Sequence, residues 1–412
     1  MKVKILKGTN QIGGCITEIE SKSGTKIIID FGEDLSDEEN KTNYNNPNID
    51  GLTIGKKQYD AVFITHSHGD HIGLINYILE EIPVYVEPIS KKIYELLSDF
   101  THKKTKLKTM DMEIGEKIII NNDIVITPYI VDHSSYNSCM LLIEADSKRV
   151  LHTGDFRSHG NKGKIFESTL EKIGDVDLIV TEGTTLSRSQ EKYKSEDELS
   201  KEAIEVFKKY DQVFILQSST NIDRICGLYK ASKRTGKKFI QDIFTSNIVN
   251  CLNNEKIPNP NFFSDVYTWI PVKYMRKNQE FKTKYIESFR KYSKQQAYRN
   301  NKYSLMVKTS MRKDIEKLYN KGHIDNACLI YSMWEGYKDK KEMKEFLENI
   351  KKYGINDIID LHTSGHADIN TIRMLNKLNA KKVIPIHTTS PEELKNILDN
   401  VYLAKINESV EI

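Results

Sequence analysis

Four side chains able to ligate a metal ion fall within six residues: the run Thr65-His66-Ser67-His68-Gly69-Asp70-His71 holds three imidazoles and a carboxylate. Nitrogen and oxygen donors of this kind suit zinc, a borderline-soft ion that takes both. A short apolar run, Ala61–Thr65, leads straight into the cluster and reads as a strand that presents the loop at its end. Gly69 is expected to let the backbone turn tightly enough for the four side chains to converge. A solvated histidine-rich loop would need neither the strand nor the Gly-Asp spacing. The chemistry implied is hydrolysis, because a catalytic zinc keeps about three protein ligands and leaves a position for water.

The elements that must hold this loop are strands. Met1–Leu6, Ile16–Glu20 and Lys26–Asp30 read as an antiparallel meander with a turn at Ser23-Gly24. Ile72–Glu81 reads as a helix ended by Pro83. Further strands are expected at 117–120, 124–131, 140–145, 149–152 and 176–181. From about Glu196 the rhythm changes to alternating helix and strand, the βαβ pattern of a parallel sheet. Strand–loop units then return near the end, with 358–361 running into His366 and 382–386 into His387. The expected organisation is therefore a first lobe over 1–195, an insertion over 196–352 and a completing part over 353–412.

The pattern HxHxDH after a strand resembles the signature of the metallo-β-lactamase superfamily. Other positions match that superfamily's motifs in order. Asp30, in Ile-Ile-Asp-Phe-Gly, resembles the aspartate that orients the histidine loop from behind. His133, in Val-Asp-His-Ser, matches a further ligand, and Asp155, in His-Thr-Gly-Asp-Phe-Arg, matches the aspartate that bridges two metals. The resemblance implies one ion on His66, His68 and His133, a second on Asp70, His71 and His387, and Asp155 between them. Two zinc ions are expected, with manganese as the other candidate. A pair about 3.5–4 Å apart lowers the pKa of a shared water and clamps attacking and leaving oxygens.

Three more matches resemble the β-CASP branch, whose members include ribonuclease J. Glu182, in Val-Thr-Glu-Gly-Thr-Thr, resembles its acidic motif; His366, in His-Thr-Ser-Gly-His-Ala, and His387, in Ile-Pro-Ile-His-Thr-Thr, resemble its two histidine motifs. The fold this implies is α/β: an αββα sandwich with an inserted βαβ domain. The activity implied is phosphodiester cleavage in nucleic acid, with Asp70, Glu182 and His366 counted as catalytic and His366 as the general acid. After His387 the chain has Thr388-Thr389 where ribonuclease J has Gly-Glu. With 25 residues following His387, the extra C-terminal domain of ribonuclease J is expected to be absent.

Substrate contacts are less distinct. Residues 273–313 contain thirteen Lys or Arg against Glu280 and Glu287, with Tyr274, Tyr285, Tyr292, Tyr298 and Tyr303 interleaved. Such a stretch reads either as a track for unpaired nucleic acid or as a solvated helical face over packed tyrosines. Ser219 and Asn221 precede an expected helix, and Ser332 and Ser364 follow expected strands; all four are weak candidates for phosphate contacts, with helix capping the plainer role for Asn221.

Composition narrows the partners. A net charge of +3 does not by itself demand a polyanion, so single-stranded RNA as partner rests on the motifs and on the local basic stretch. No apolar run approaches the ~18 residues of a membrane span. Five scattered cysteines without a CxxC pair read as reduced thiols in a cytoplasmic protein. Two other functions share the same ligands: hydrolysis of a small lactam, thioester or lactone, and a catalytically silent nucleic-acid-binding subunit. The long insertion and the Glu182 and His366 motifs disfavour the first, and the complete ligand set disfavours the second.

Overall fold

Apolar residues run almost without interruption along Ala61–Ile64, Val84–Val86 and Cys139–Ala145, which is expected of strands covered on both faces. The computed structural model describes residues 1–35, 48–101, 109–188, 192–289, 291 and 302–412. The chain divides into two compact units, Met1–Tyr193 with Gly365–Ile412, and Lys194–Ser364.

In the first unit, one sheet contains β1 (Lys2–Lys7), β2 (Ile16–Glu20), β3 (Lys26–Ile29), β4 (Ala61–Ile64), β5 (Val84–Val86) and β6 (Thr109–Asp111). The other contains β7 (Ile118–Ile120), β8 (Ile124–Ile130), β9 (Cys139–Ala145), β10 (Lys148–His152) and β11 (Leu178–Glu182). Alternation decides what each residue meets. Ile27, Ile29, Phe63, Leu141 and Ile143 point inward and form one core between the sheets. Their neighbours point the other way. Ile28, Val62 and Ile64 pack on Ile72 and Tyr94, while Met140 and Leu142 pack on Phe166 and Leu170 of the helix Phe166–Ile173. Helices thus cover both outer faces, giving the αββα sandwich.

The second unit carries six parallel strands: β12 (Gln212–Gln217), β13 (Lys238–Asp242), β14 (Val266–Trp269), β15 (Tyr303–Val307), β16 (Ala327–Ser332) and β17 (Asp357–Asp360), in the order β14-β13-β15-β12-β16-β17. It is the inserted subdomain. The chain then returns to the first unit, where β18 (Lys382–Ile386) pairs in parallel with β11 and β19 (Ser409–Glu411) closes the edge beside β1.

Two details differ from the sequence reading. Residues 353–364, assigned there to the first lobe, belong to the inserted unit, because β17 pairs with β16 from Cys328↔Asp357 to Tyr331↔Asp360. The single helix over 72–81 is absent. A short helix, Gly69–Ile72, is followed by a separate turn at Ile75–Tyr77, and Leu74 donates its N–H to Phe31 O at 3.0 Å. That tertiary bond, with Ile75 and Ile78 buried, outweighs local helix periodicity.

Candidate metal centre

The loop residues leave the C-terminal ends of neighbouring strands, so parallel registers bring them together. Ile29↔Phe63 in β3–β4 sets Asp30 beside Thr65, and Glu182↔Ile386 in β11–β18 sets Glu182 beside His387. Asp30 and His387 hold left-handed backbones, φ 59° and 53°. Such conformations cost energy in residues other than glycine and concentrate at functional sites. The glycine that the histidine loop requires is Gly32: a Cβ there would lie 1.6 Å from Asp70 O. At Gly69 a Cβ would meet only Glu33 Oε2, at 3.9 Å, so the expected tight turn at that position is not what forms the loop.

Hydrogen bonds behind the rings assign their protons. His71 Nδ1 donates to Asp30 Oδ2 at 2.7 Å, and His133 Nδ1 donates to Gly365 O at 2.7 Å. Thr65 Oγ1 donates to Asp30 at 2.9–3.0 Å and so accepts from His66 Nδ1 at 3.1 Å. Thr184 Oγ1 donates to Glu182 Oε2 at 2.7 Å and accepts from His387 Nδ1 at 2.7 Å. In each case the outer nitrogen is tied, and Nε2 is turned inward as a donor atom for a ligand site. His68 presents Nδ1 instead, 3.1 Å from both His66 Nε2 and His133 Nε2.

Asp155 stands at the centre. Its Oδ2 lies 3.3 Å from His71 Nε2, 3.8 Å from His66 Nε2, 3.8 Å from His133 Nε2 and 3.9 Å from His387 Nε2. Yet neither oxygen of Asp155, nor His71 Nε2, completes a hydrogen bond, although all three atoms are buried. Buried polar atoms left unpaired are costly. Here they form two overlapping groups, His66–His68–His133–Asp155 and Asp70–His71–Asp155–His387, each with its ligand atoms within 4.8 Å of one another. The donor set fits two divalent cations sharing Asp155.

Electrostatics agree with that fit. Burial pushes His66 and His133 well below the usual histidine range, and brings His68 down to about 4 against the pull of Asp70 and Asp155. Burial opposes charge on Asp155 as well, but His387 and His71 outweigh it and hold the carboxyl well below its ordinary value. His71 goes the other way: burial opposes its charge, while Asp155, Asp30 and Asp70 raise it well above the ordinary value. A bound cation would take that proton's place.

The third group, Asp155–Glu182–His366–His387, adjoins the first two. Glu182 Oε1 accepts from Phe156 N at 2.9 Å and Oε2 accepts from His366 Nδ1 at 2.9 Å. The His366 side chain is 22% exposed, against 2% or less for Glu182 and Asp155. Burial opposes its charge, but Glu182 and Asp155 outweigh burial and push it up to about 9.

A structure of this kind has relatives. Over part of its length the chain is similar to a metallo-β-lactamase superfamily domain. The family described as "Beta-lactamase superfamily domain" matches residues 25–215. Similar curated proteins include Ribonuclease J 2 of Streptococcus pyogenes, 21% identical over 47% of this chain and 36% of its own length. Ribonuclease J of Helicobacter pylori is 30% identical over 38% of this chain and 23% of its own. Transcription termination factor FttA of Methanothermobacter thermautotrophicus is 22% identical over 44% and 31%. These matches span about a quarter to a third of the relatives' own lengths. Among solved structures, a protein of unknown function from Enterococcus faecalis V583 superposes with a TM-score of 0.78 at 20% identity, covering 99% of both chains, and so shares the fold.

The weaker candidates belong to the other unit. Ser219, Asn221, Ser332 and Ser364 lie in the inserted unit, all buried. Ser219 Oγ bonds Thr245 Oγ1 at 2.7 Å, Asn221 Oδ1 caps the helix Ile222–Arg234 through Arg224 N at 3.1 Å, and Ser332 Oγ donates to Leu361 O at 2.6 Å. Those bonds give Ser219, Asn221 and Ser332 partners within the inserted unit. Tyr292 and Tyr298 of the basic stretch lie outside the described residues, as does His102. His152 is fully buried and accepts Gly154 N at 3.2 Å, which places it behind the Asp155 turn. Thr65 and Thr184 were not singled out from sequence; their one signal was adjacency to His66 and Glu182. Among the described residues, no helix is long and apolar enough to cross a membrane.

Proposed function

We propose that this chain is a two-metal hydrolase that cleaves phosphodiester bonds in nucleic acid, RNA being the favoured class. The observation that carries the reading is Asp155, buried with two unpaired oxygens between two sets of inward-facing histidines and beside a Glu182–His366 pair. Zinc, or manganese, on His66, His68 and His133 and on Asp70, His71 and His387, with Asp155 shared, would supply an activated water and neutralise the phosphate. The residues of the chain supply the rest. Thr65, Asp30, Gly365 and Thr184 hold the rings in place. Glu182 fixes His366 through Nδ1, so the proton His366 transfers to the leaving oxygen is the one at Nε2.

The relatives named Ribonuclease J and FttA support nucleic acid as the substrate and RNA as its class. The five free thiols fit a reducing, cytoplasmic setting. Against hydrolysis of a small lactam, thioester or lactone stand the inserted unit and the Glu182–His366 pair, neither of which a compact hydrolase needs.

The test separates chemistry from binding. Labelled single-stranded RNA should be cut by the protein and spared once a chelator is present; cutting that persists in chelator sinks the metal reading. Replacing His366 by Ala should keep both metals and lower the rate on natural diester by about 10²–10⁴-fold. On a p-nitrophenyl phosphodiester, whose leaving group needs no proton, the loss should shrink. An equal loss on both substrates removes the general-acid role.

A further inference from the structure

Lysines on the inserted unit are arranged in two different ways. On the helix Glu196–Lys209 they sit among acids: five carboxylates accompany three lysines, and Lys201–Asp197 and Lys208–Glu205 close at 2.8 Å. Over residues 273–285, by contrast, Lys273, Arg276, Lys277, Lys282 and Lys284 are accompanied along the sequence by one acid, Glu280. Five charges less one give +4 within thirteen residues, more than the +3 of the whole chain. The segment follows β14, the edge strand of the parallel sheet, and consists of a turn, Val272–Arg276, and a short helix, Gln279–Tyr285.

Aromatic rings are interleaved with these charges. Tyr274 and Phe281 lie parallel within 3°, centroids 5.8 Å apart, and Phe281 meets Tyr285 at 4.9 Å. Tyr285 is buried and anchors the row, whereas Tyr274 and Phe281 are half-buried. Ammonium groups hover over all three: Lys273 on Tyr274 at 4.8 Å, Lys277 on Phe281 at 5.5 Å and Lys284 on Tyr285 at 4.9 Å. A base that took one of these ring faces would release its lysine to the adjoining phosphate.

We infer that residues 273–285 form a stacking and phosphate-binding platform for single-stranded nucleic acid, a binding surface of the inserted unit apart from the residues that hold the metals. The inference rests on the nucleic-acid reading above. Rings favour a single strand over a duplex, whose bases are already stacked and which asks only for charge. An anionic membrane would ask for a long continuous apolar helix face, whereas this helix has seven residues and its two aromatic rings, Phe281 and Tyr285, pack on each other.

The experiment uses the full chain and a labelled phosphorothioate single strand of about 16 nucleotides that resists cleavage. Binding is followed by anisotropy at several salt concentrations. The triple variant Lys277→Gln, Lys282→Gln, Lys284→Gln should lower the slope of log affinity against log salt by about 2, and weaken binding by about 10- to 100-fold at roughly 0.1 M salt. Tyr274→Leu with Phe281→Leu should weaken the single strand but leave a duplex of equal length unaffected, with thermal unfolding checked in parallel. Wild-type protein that binds no single strand overturns the inference. So does a triple variant with unchanged slope, or a ring variant that affects strand and duplex alike. Hydrolysis of a p-nitrophenyl diester is measured separately on the wild type; its failure would sink the metal reading while the binding data still stand or fall alone.

Discussion

Each unit buries a polar cluster, and the two are finished differently. In the inserted unit Arg224 is 2% exposed. Its Nε and Nη2 donate to the two oxygens of Glu196 at 2.8 and 3.1 Å, and Nη1 donates to Leu361 O at 2.7 Å and to Ser332 Oγ. That cluster is closed, since the Glu196 charge and the Leu361 carbonyl are met by donors from a single guanidinium. Around Asp155 the outer ring of partners is as complete, but His71 Nε2 and both Asp155 oxygens are left without a hydrogen bond. A closed cluster holds elements together; an open one of inward donors holds a place for something with positive charge. The two should therefore respond oppositely to the same kinds of perturbation.

The largest expected effect is on the closed cluster. Arg224→Met leaves Glu196 buried without its cation and should destabilise the protein by about 3–5 kcal/mol, read by denaturant unfolding. Metal content should not change. Adding Glu196→Leu to Arg224→Met should recover much of the loss, because no lone charge then remains. A loss under about 1 kcal/mol for the single variant would mean that water reaches the cluster and that the contrast is false.

Removing metal should act on the open cluster alone. A site filled at 100 times its dissociation constant contributes about 2.7 kcal/mol to folding. Stripping the ions should lower the melting temperature of the first unit and leave that of the inserted unit where it was, as seen by calorimetry. A chelator that shifts nothing would leave the unpaired oxygens of Asp155 without an explanation in metal binding.

How much of this was legible beforehand follows from distance along the chain. The ligand-rich loop from His66 to His71 was readable because its donors are contiguous and follow an apolar strand. The strands β11 and β18 were readable from apolar runs that also fixed where Glu182 and His387 emerge. What was not readable depends on partners far away in sequence. Gly32 is required by the approach of Asp70 O, which no local pattern announces. The helix expected over 72–81 is broken by a bond from Leu74 to Phe31. Residues 353–364 join the inserted unit because β17 finds β16. Local apolarity reports that a segment is buried, and only pairing reports where.

Thr184 gives the smallest and most discriminating test. Its hydroxyl joins the Glu182–His366 pair to the candidate ligand His387, at 2.7 Å to each of Glu182 Oε2 and His387 Nδ1. Having a single hydrogen, it donates to the carboxylate and accepts from the imidazole, and this fixes the His387 tautomer with Nε2 inward, 3.1 Å from Asp70 Oδ2. Thr184→Val keeps the shape and removes both bonds, each worth about 1 kcal/mol. The expected result is metal affinity weakened by about tenfold, at the lower end of losses for partners behind a ligand. Thr184→Ser should restore it, since only the hydroxyl matters. If instead Val and Ser behave alike, the methyl packs the site and the hydroxyl does not orient it; the open cluster would then owe its inward-facing histidines to backbone geometry, and the relay from Glu182 to His387 would have no part in it.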